Sequence, residues 1–123
     1  MKRLSLLSLL VISSSLLGAE PKVVSPDKLQ VRGKFGSRLV YLPNQDTPFT
    51  GKVEAFYPNG LKKSEKNYKD GKMDGLLTKW FPNGQKILEG NFKDGKPHGL
   101  TIVYDKYGAE SNRITYKDGE KVK

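Results

Sequence analysis

The chain has no cysteine, which excludes disulfides, thiolate metal sites and a lipid-modified cysteine at the end of a leader. Histidine occurs once, as His98, and tryptophan once, as Trp80. Any mechanism that needs an imidazole must use His98, and a lone imidazole without thiolates is a poor zinc set. The one long apolar run, Leu4 to Leu17, falls short of the roughly 20 residues a membrane-spanning helix needs. Acidic residues are also scarce, 13 against 22 lysines and arginines, for a net charge of +9. Such a charge acts on encounters with anionic partners rather than on the fold. The lysines are spread over most turns and form no single block.

What is present begins with a leader. Met1-Lys2-Arg3, the apolar run and Gly18-Ala19-Glu20 have the layout of a secretory signal, with cleavage expected after Ala19. Export to the periplasm or the extracellular space follows from that reading. Losing Lys2 and Arg3 would lower the charge from +9 to +7. Residues 20–38 read as a linker or short strand: Pro21, Pro26, Gly33 and Gly36 interrupt it, while Leu29, Val31 and Phe35 sit at odd spacing. Leu39 to Leu42 is a firmer strand and Pro43 to Pro48 a polar turn.

From residue 39 to the end the chain repeats itself every 24 residues without gaps. Gly51, Gly75 and Gly99 coincide, as do Gly60, Gly84, Gly108 and Gly71, Gly95, Gly119. Aromatic columns keep the same step, Phe56, Trp80, Tyr104 and Tyr68, Phe92, Tyr116. A fixed period of this length means a stacked array of one supersecondary unit. The units are about 51–74, 75–98 and 99–120, with a partial one at 39–50. Each carries a turn of the Pro-Asn-Gly kind, as in Tyr57 to Gly60, and one of the Lys-Asp-Gly kind, as in Tyr68 to Gly71. Both are expected as three-residue loops, a type I turn closed by a bulge glycine, joining antiparallel strands. The fold class is therefore all-β, a meander of hairpins preceded by the signal helix.

Turn type fixes register, and register sorts side chains by face. Setting Tyr57 opposite Leu61 and continuing the alternation gathers Phe56, Tyr68, Leu76, Trp80, Leu88, Phe92, Leu100, Ile102, Tyr104, Ile114 and Tyr116 on one apolar face. The other face collects Val53, Ala55, Tyr57, Leu61, Leu77, Phe81, Ile87 and Val103 among Lys63, Glu65, Lys79, Glu89, Asp105 and Arg113. The apolar face alone does not offset the conformational entropy of the ordered chain. A cover is expected, from the segment Leu29 to Phe35, a second copy of the chain or another protein.

Asn91 to Leu100, read as Asn-Phe-Lys-Asp-Gly-Lys-Pro-His-Gly-Leu, resembles the MORN repeat. Phe56-Tyr57-Pro58-Asn59-Gly60 and Trp80-Phe81-Pro82-Asn83-Gly84 resemble more particularly the bacterial MORN variant of proteins labelled YwqK-like antitoxins. The resemblance covers about Leu39 to Gly119. It implies an elongated, twisted antiparallel sheet used for contacts with proteins and, in some members, with membranes; it implies neither an enzyme nor a cofactor. An exported chain is poorly placed to neutralise a cytoplasmic toxin. The third unit departs from the pattern at Asp105-Lys106-Tyr107-Gly108 and reads as a closing unit. Lys117, Lys121 and Lys123 near it would discourage edge pairing.

The candidate chemistry is thin. Glu65 and Glu89 share a column and read as cross-strand ion pairs rather than an acid and base. His98 falls in the column of Thr50 and Asp74, a turn position. Asp70, Asp94 and Asp118 are turn formers, too sparse for a calcium loop. The glycines fall in turns, and none opens a phosphate-binding helix. Lysines interleaved with aromatics are a pattern of nucleic-acid binders, but export and the core use of the aromatics argue against that partner. Two surfaces remain. Phe56, Tyr68, Trp80, Phe92 and Tyr104 are the candidate contact residues for a protein partner, since aromatic anchors dominate interfaces. Lys62, Lys63, Lys66, Lys69, Lys72, Lys93 and Lys96 are the alternative, a set for an anionic membrane surface.

Overall fold

The Pro-Asn-Gly turns fold as their residues dictate. In the computed structural model, which describes residues 22–122, Gly60 has φ 88°. Its N–H donates to the Tyr57 carbonyl at 2.9 Å, and the Tyr57 N–H donates to the Leu61 carbonyl at 2.8 Å. Asn59 Oδ1 accepts the Leu61 N–H at 2.9 Å, as Asn83 Oδ1 accepts that of Gln85 at 3.0 Å. The third unit has Tyr107 in the place of that asparagine. Asp105 takes over, its Oδ1 accepting from Tyr107 at 2.9 Å and Ala109 at 3.0 Å. The turn survives because another side chain supplies the acceptor.

The Lys-Asp-Gly turns differ from the expected three-residue loops. Lys69 pairs directly with Lys72, Lys93 with Lys96 and Lys117 with Glu120. Asp70, Asp94 and Asp118 each lie at φ 50°, followed by Gly71, Gly95 and Gly119 at φ 85°, 83° and 90°. Two successive left-handed residues make a type I′ turn, whose twist matches that of the flanking strands. Aspartate can occupy the left-handed region. A neighbouring unit holds it there: the N–H of Asp70 donates to Thr50 Oγ1 at 2.9 Å, that of Asp94 to Asp74 Oδ2 at 3.3 Å and that of Asp118 to His98 Nδ1 at 3.2 Å. The glycine N–H groups of these turns reach the carbonyls of Phe49, Met73 and Pro97, each at 2.8 Å.

These turns join β1 (Val23–Val24), β4 (Gly51–Phe56), β5 (Lys62–Lys69), β6 (Lys72–Trp80), β7 (Lys86–Lys93), β8 (Lys96–Pro97), β9 (Gly99–Tyr104), β10 (Glu110–Lys117) and β11 (Glu120–Val122) into an open sheet. Spatial order follows chain order apart from β8, which pairs with β7, and β1, which lies parallel to β4 at the other edge. A separate hairpin of β2 (Gln30–Arg32) and β3 (Leu39–Tyr41) follows a 3-10 turn at Pro26–Lys28. Residues 20–38 thus hold β1, the 3-10 turn and β2 within their described part. The hairpin abuts the first Lys-Asp-Gly turn, where the Val40 N–H donates to the Gly71 carbonyl at 3.0 Å. It does not cover the apolar face: Val31 is 62% and Phe35 92% exposed. The leader at residues 1–19 and Lys123 lie outside the described residues.

The expected single apolar face is corrected by bulges. Ala55 pairs with Ser64 but Phe56 with Lys62, leaving Lys63 as an extra residue. Ile87 is the extra residue between the Lys79–Leu88 and Trp80–Lys86 pairs, and Ser111 between Val103–Asn112 and Tyr104–Glu110. One added residue reverses the alternation for the rest of the strand. Phe56, Leu76, Trp80, Leu100, Ile102 and Tyr104 therefore share one face, while Tyr68, Leu88, Phe92, Ile114 and Tyr116 lie on the other with Val53, Leu77 and Val103. Phe56 is 55% and Leu76 42% exposed, so neither is core. Among the described residues the buried apolar side chains are Phe49, Val53 and Leu77, with the Phe49 ring 6.1 Å from that of Tyr68. At the far edge β11 covers β10 only over Thr115 to Lys117. Beyond it, the Arg113 N–H donates to its neighbour's Asn112 Oδ1 at 2.8 Å.

Candidate functional site

The two faces differ in charge as well as in apolar content. Four of the five strand glutamates, Glu54, Glu65, Glu89 and Glu110, fall on the face of Phe56 and Trp80, the fifth being Glu120 at the start of β11. Those four are paired. Lys62 Nζ lies 3.0 Å from Glu54 and 2.8 Å from Glu65, and Lys52 Nζ 3.0 Å from Glu65. Lys86 meets Glu89 at 2.8 Å, Tyr104 donates to Glu89 at 3.0 Å, and Arg113 meets Glu110 at 2.8 Å. Hydrogen bonds from Lys62 and then Lys52 hold the Glu65 carboxyl below its usual range, and Glu65 raises Lys62 in return. Lys86 lowers Glu89 in the same way, and Glu89 as acceptor raises the Tyr104 hydroxyl. Lys62 also lies 5.7 Å from the Trp80 ring centroid. Opposite charges in register neutralise this face from within.

The opposite face holds lysines without counter-ions. Lys66 and Lys79 lie there by register, and Lys63 sits at the bulge with its Nζ 5.7 Å from the Tyr57 ring centroid. Among the described residues no carboxylate lies within ion-pair distance of any of the three. Together with Ala55, Ser64, Ile87 and Pro26 of the 3-10 turn they line a shallow basin. Beside it is an apolar depression walled by Leu77, Leu88, Phe92, Thr101 and Tyr116, with Gly90 in its lining. Lys69, Lys72, Lys93 and Lys96 flank the type I′ turns along one margin of the sheet and are exposed. Lys69, Lys72 and Lys93 border a groove that also takes in Asp70, Asp74, Asn91, Asp94 and His98.

The candidate contact residues are thus divided, Phe56, Trp80 and Tyr104 on the ion-paired face and Tyr68 and Phe92 on the face with free lysines. Lys62 stands apart from the other lysines in being held by Glu54 and Glu65. Glu65 and Glu89 are ion-paired as expected but through Lys52, Lys62 and Lys86; Lys63 and Lys79 face away from them. Both glutamates pair with Thr78, so they stand two strand spacings apart, about 10 Å. His98 belongs to the turn margin, bonded to the Asp118 N–H and 3.5 Å from its carboxylate. Among the described residues no three His, Asp or Glu side chains gather as a metal ion would require. Two positions escaped sequence reasoning. Lys79 was placed with the glutamates because the bulge was not counted, and Gly90 was not singled out. Its column, Lys66, Gly90, Ile114, carries a glycine where the flanking units carry long side chains.

No protein-family model, curated protein or solved structure matches the chain.

Proposed function

We propose that the chain is a non-enzymatic, exported repeat module of the MORN type that binds another protein through the face bearing Tyr68 and Phe92. The observation that carries this reading is an uncovered apolar depression on a single-layer sheet, bounded by Leu77, Leu88, Phe92 and Tyr116. An apolar depression that no other element of the sheet covers can seat a side chain of a partner. Export rests on the leader-like residues 1–19, and the MORN assignment on the motifs quoted above. The antitoxin role attached to the bacterial variant would require an exported target.

The test is a photo-crosslinking amino acid placed at Phe92 or, as the control, at Phe56 in cells producing the chain. Discrete adducts from Phe92 and none from Phe56 are expected. Equal labelling from both, or from neither, would remove the reading. A second reading, attachment to an anionic membrane surface, is favoured by the lack of ion pairs at Lys63, Lys66, Lys69, Lys72, Lys93 and Lys96 among the described residues. Flotation with anionic but not neutral liposomes at physiological salt, lost as salt is raised further, would support it, because lysines within a Debye length of the surface keep their attraction until the screening length shrinks.

A further inference from the structure

One cross-strand row on the lysine-bearing face runs Val53, Lys66, Leu77, Gly90, and Thr101 continues it beside Gly90. The row carries side chains everywhere except at Gly90. Nothing in the backbone calls for glycine there: Gly90 is not among the positive-φ residues. Gly90 is buried, and the nearest atoms a Cβ there would meet belong to the Thr101 side chain, Oγ1 at 3.1 Å and Cγ2 at 3.6 Å, so the threonine would have to shift by a few tenths of an ångström to admit it. The missing side chain leaves a depression of about 140 Å³. An apolar cavity of about 150 Å³ accommodates a benzene ring, so the space suits one aliphatic or aromatic side chain.

The charge around the depression is of one sign. Lys66 pairs with Leu77, and Lys79 with Leu88, so both lysines adjoin its wall, and Lys63 lies at the bulge beyond them. Glu54, Glu65, Glu89 and Glu110 are on the other face. The lysine charges are distributed over two strands, about 4.8 Å apart, and each is a flexible point charge rather than a planar fork. That arrangement matches several carboxylates along an extended chain better than one small anion. A second copy of the molecule presenting this face would set the same lysines against each other.

We propose that this face docks an extended acidic segment of another protein, which seats one apolar side chain over Gly90 and sets its carboxylates against Lys63, Lys66 and Lys79. The proposal rests on the contact-surface reading above and names the chemistry of the partner. The probe is a fluorescein-labelled nonapeptide with a central leucine flanked by alternating glutamate and threonine, titrated with the full chain and read by fluorescence anisotropy. Saturable binding is expected, weakened when the leucine is replaced by glycine or the glutamates by glutamine. Gly90→Ile, which supplies the side chain native to the same column at Ile114, is expected to weaken binding about tenfold or more, a hot-spot effect, while cooperative thermal unfolding is retained. The Lys66→Gln, Lys79→Gln double variant should lose affinity and most of the salt dependence. Absence of saturable binding, or equal affinity for Gly90→Ile, overturns the proposal. So does a dimer of the parent chain that Gly90→Ile dissolves, which would make a second copy the occupant. If the peptide fails while crosslinks from Phe92 persist, the acidic partner is wrong and the contact surface stands.

Discussion

Asp94→Ala tests the left-handed turn directly. Asp94 occupies φ 50° ahead of Gly95 at φ 83° in the tight connection between β7 and β8. An alanine held in the left-handed region costs roughly 1–2 kcal/mol. The backbone bond from the N–H of residue 94 to Asp74 is available to alanine as well, so strain is the main term. Each kcal/mol moves the midpoint of a domain this size by about 4–8 °C, so a fall of about 5–15 °C is expected in thermal unfolding followed by circular dichroism. Asp94→Asn should leave the midpoint unchanged or slightly higher, since Asn-Gly is the preferred pair for this turn. Lys93→Ala, one residue away at an ordinary strand position, should change it little. Asp118→Ala should act more weakly than Asp94→Ala, because its turn secures only the three residues of β11. Equal midpoints for Asp94→Ala and Lys93→Ala would refute the argument.

Leu77 is 7% exposed, and Leu77→Ala should cost at least about 2 kcal/mol, whereas Phe56→Ala, at a position 55% exposed, should cost under about 1 kcal/mol; urea unfolding of both tests this order, which a ladder without bulges would reverse. Glu65 is held below its usual value by Lys62 and Lys52. The unfolded chain therefore binds the extra proton first on acidification. The contribution of Glu65 is present above the unfolded carboxylate value and is lost as pH falls through the folded one, so Glu65→Gln should flatten the acid limb of the stability profile. His98→Ala should speed hydrogen exchange at the Asp118 amide, and His98→Asp should restore protection, because Asp74 performs the same task one unit earlier.

The period of 24, the all-β class and the Pro-Asn-Gly loops were legible because each depends on residues with strong local preferences. The register was legible only as far as Phe56 and Lys62, a pair that the structure retains. Beyond it, Lys63, Ile87 and Ser111 are inserted without a glycine or proline to announce them. Everything downstream in each strand changed face as a result. Asp70 and its counterparts misled for a related reason, since left-handed backbone is ordinarily expected at glycine and the aspartate was assigned to the first half of a different turn. Of the candidate surface, Tyr68, Phe92 and Lys66 were named from sequence, but their common face with Leu77 and Gly90 depended on counting the bulges.

The Arg113 N–H held by Asn112 Oδ1 bears on where an array of this kind can stop. A repeating sheet has no intrinsic length: the last strand is as good a template as any before it, and identical molecules would add to it indefinitely. Here the donor that would recruit the next strand is occupied by a side chain from its own strand. That asparagine thus adds to the protection that β11 and the lysines around it give the edge, and Asn112→Val, which frees the Arg113 donor, should raise edge-to-edge self-association at high concentration.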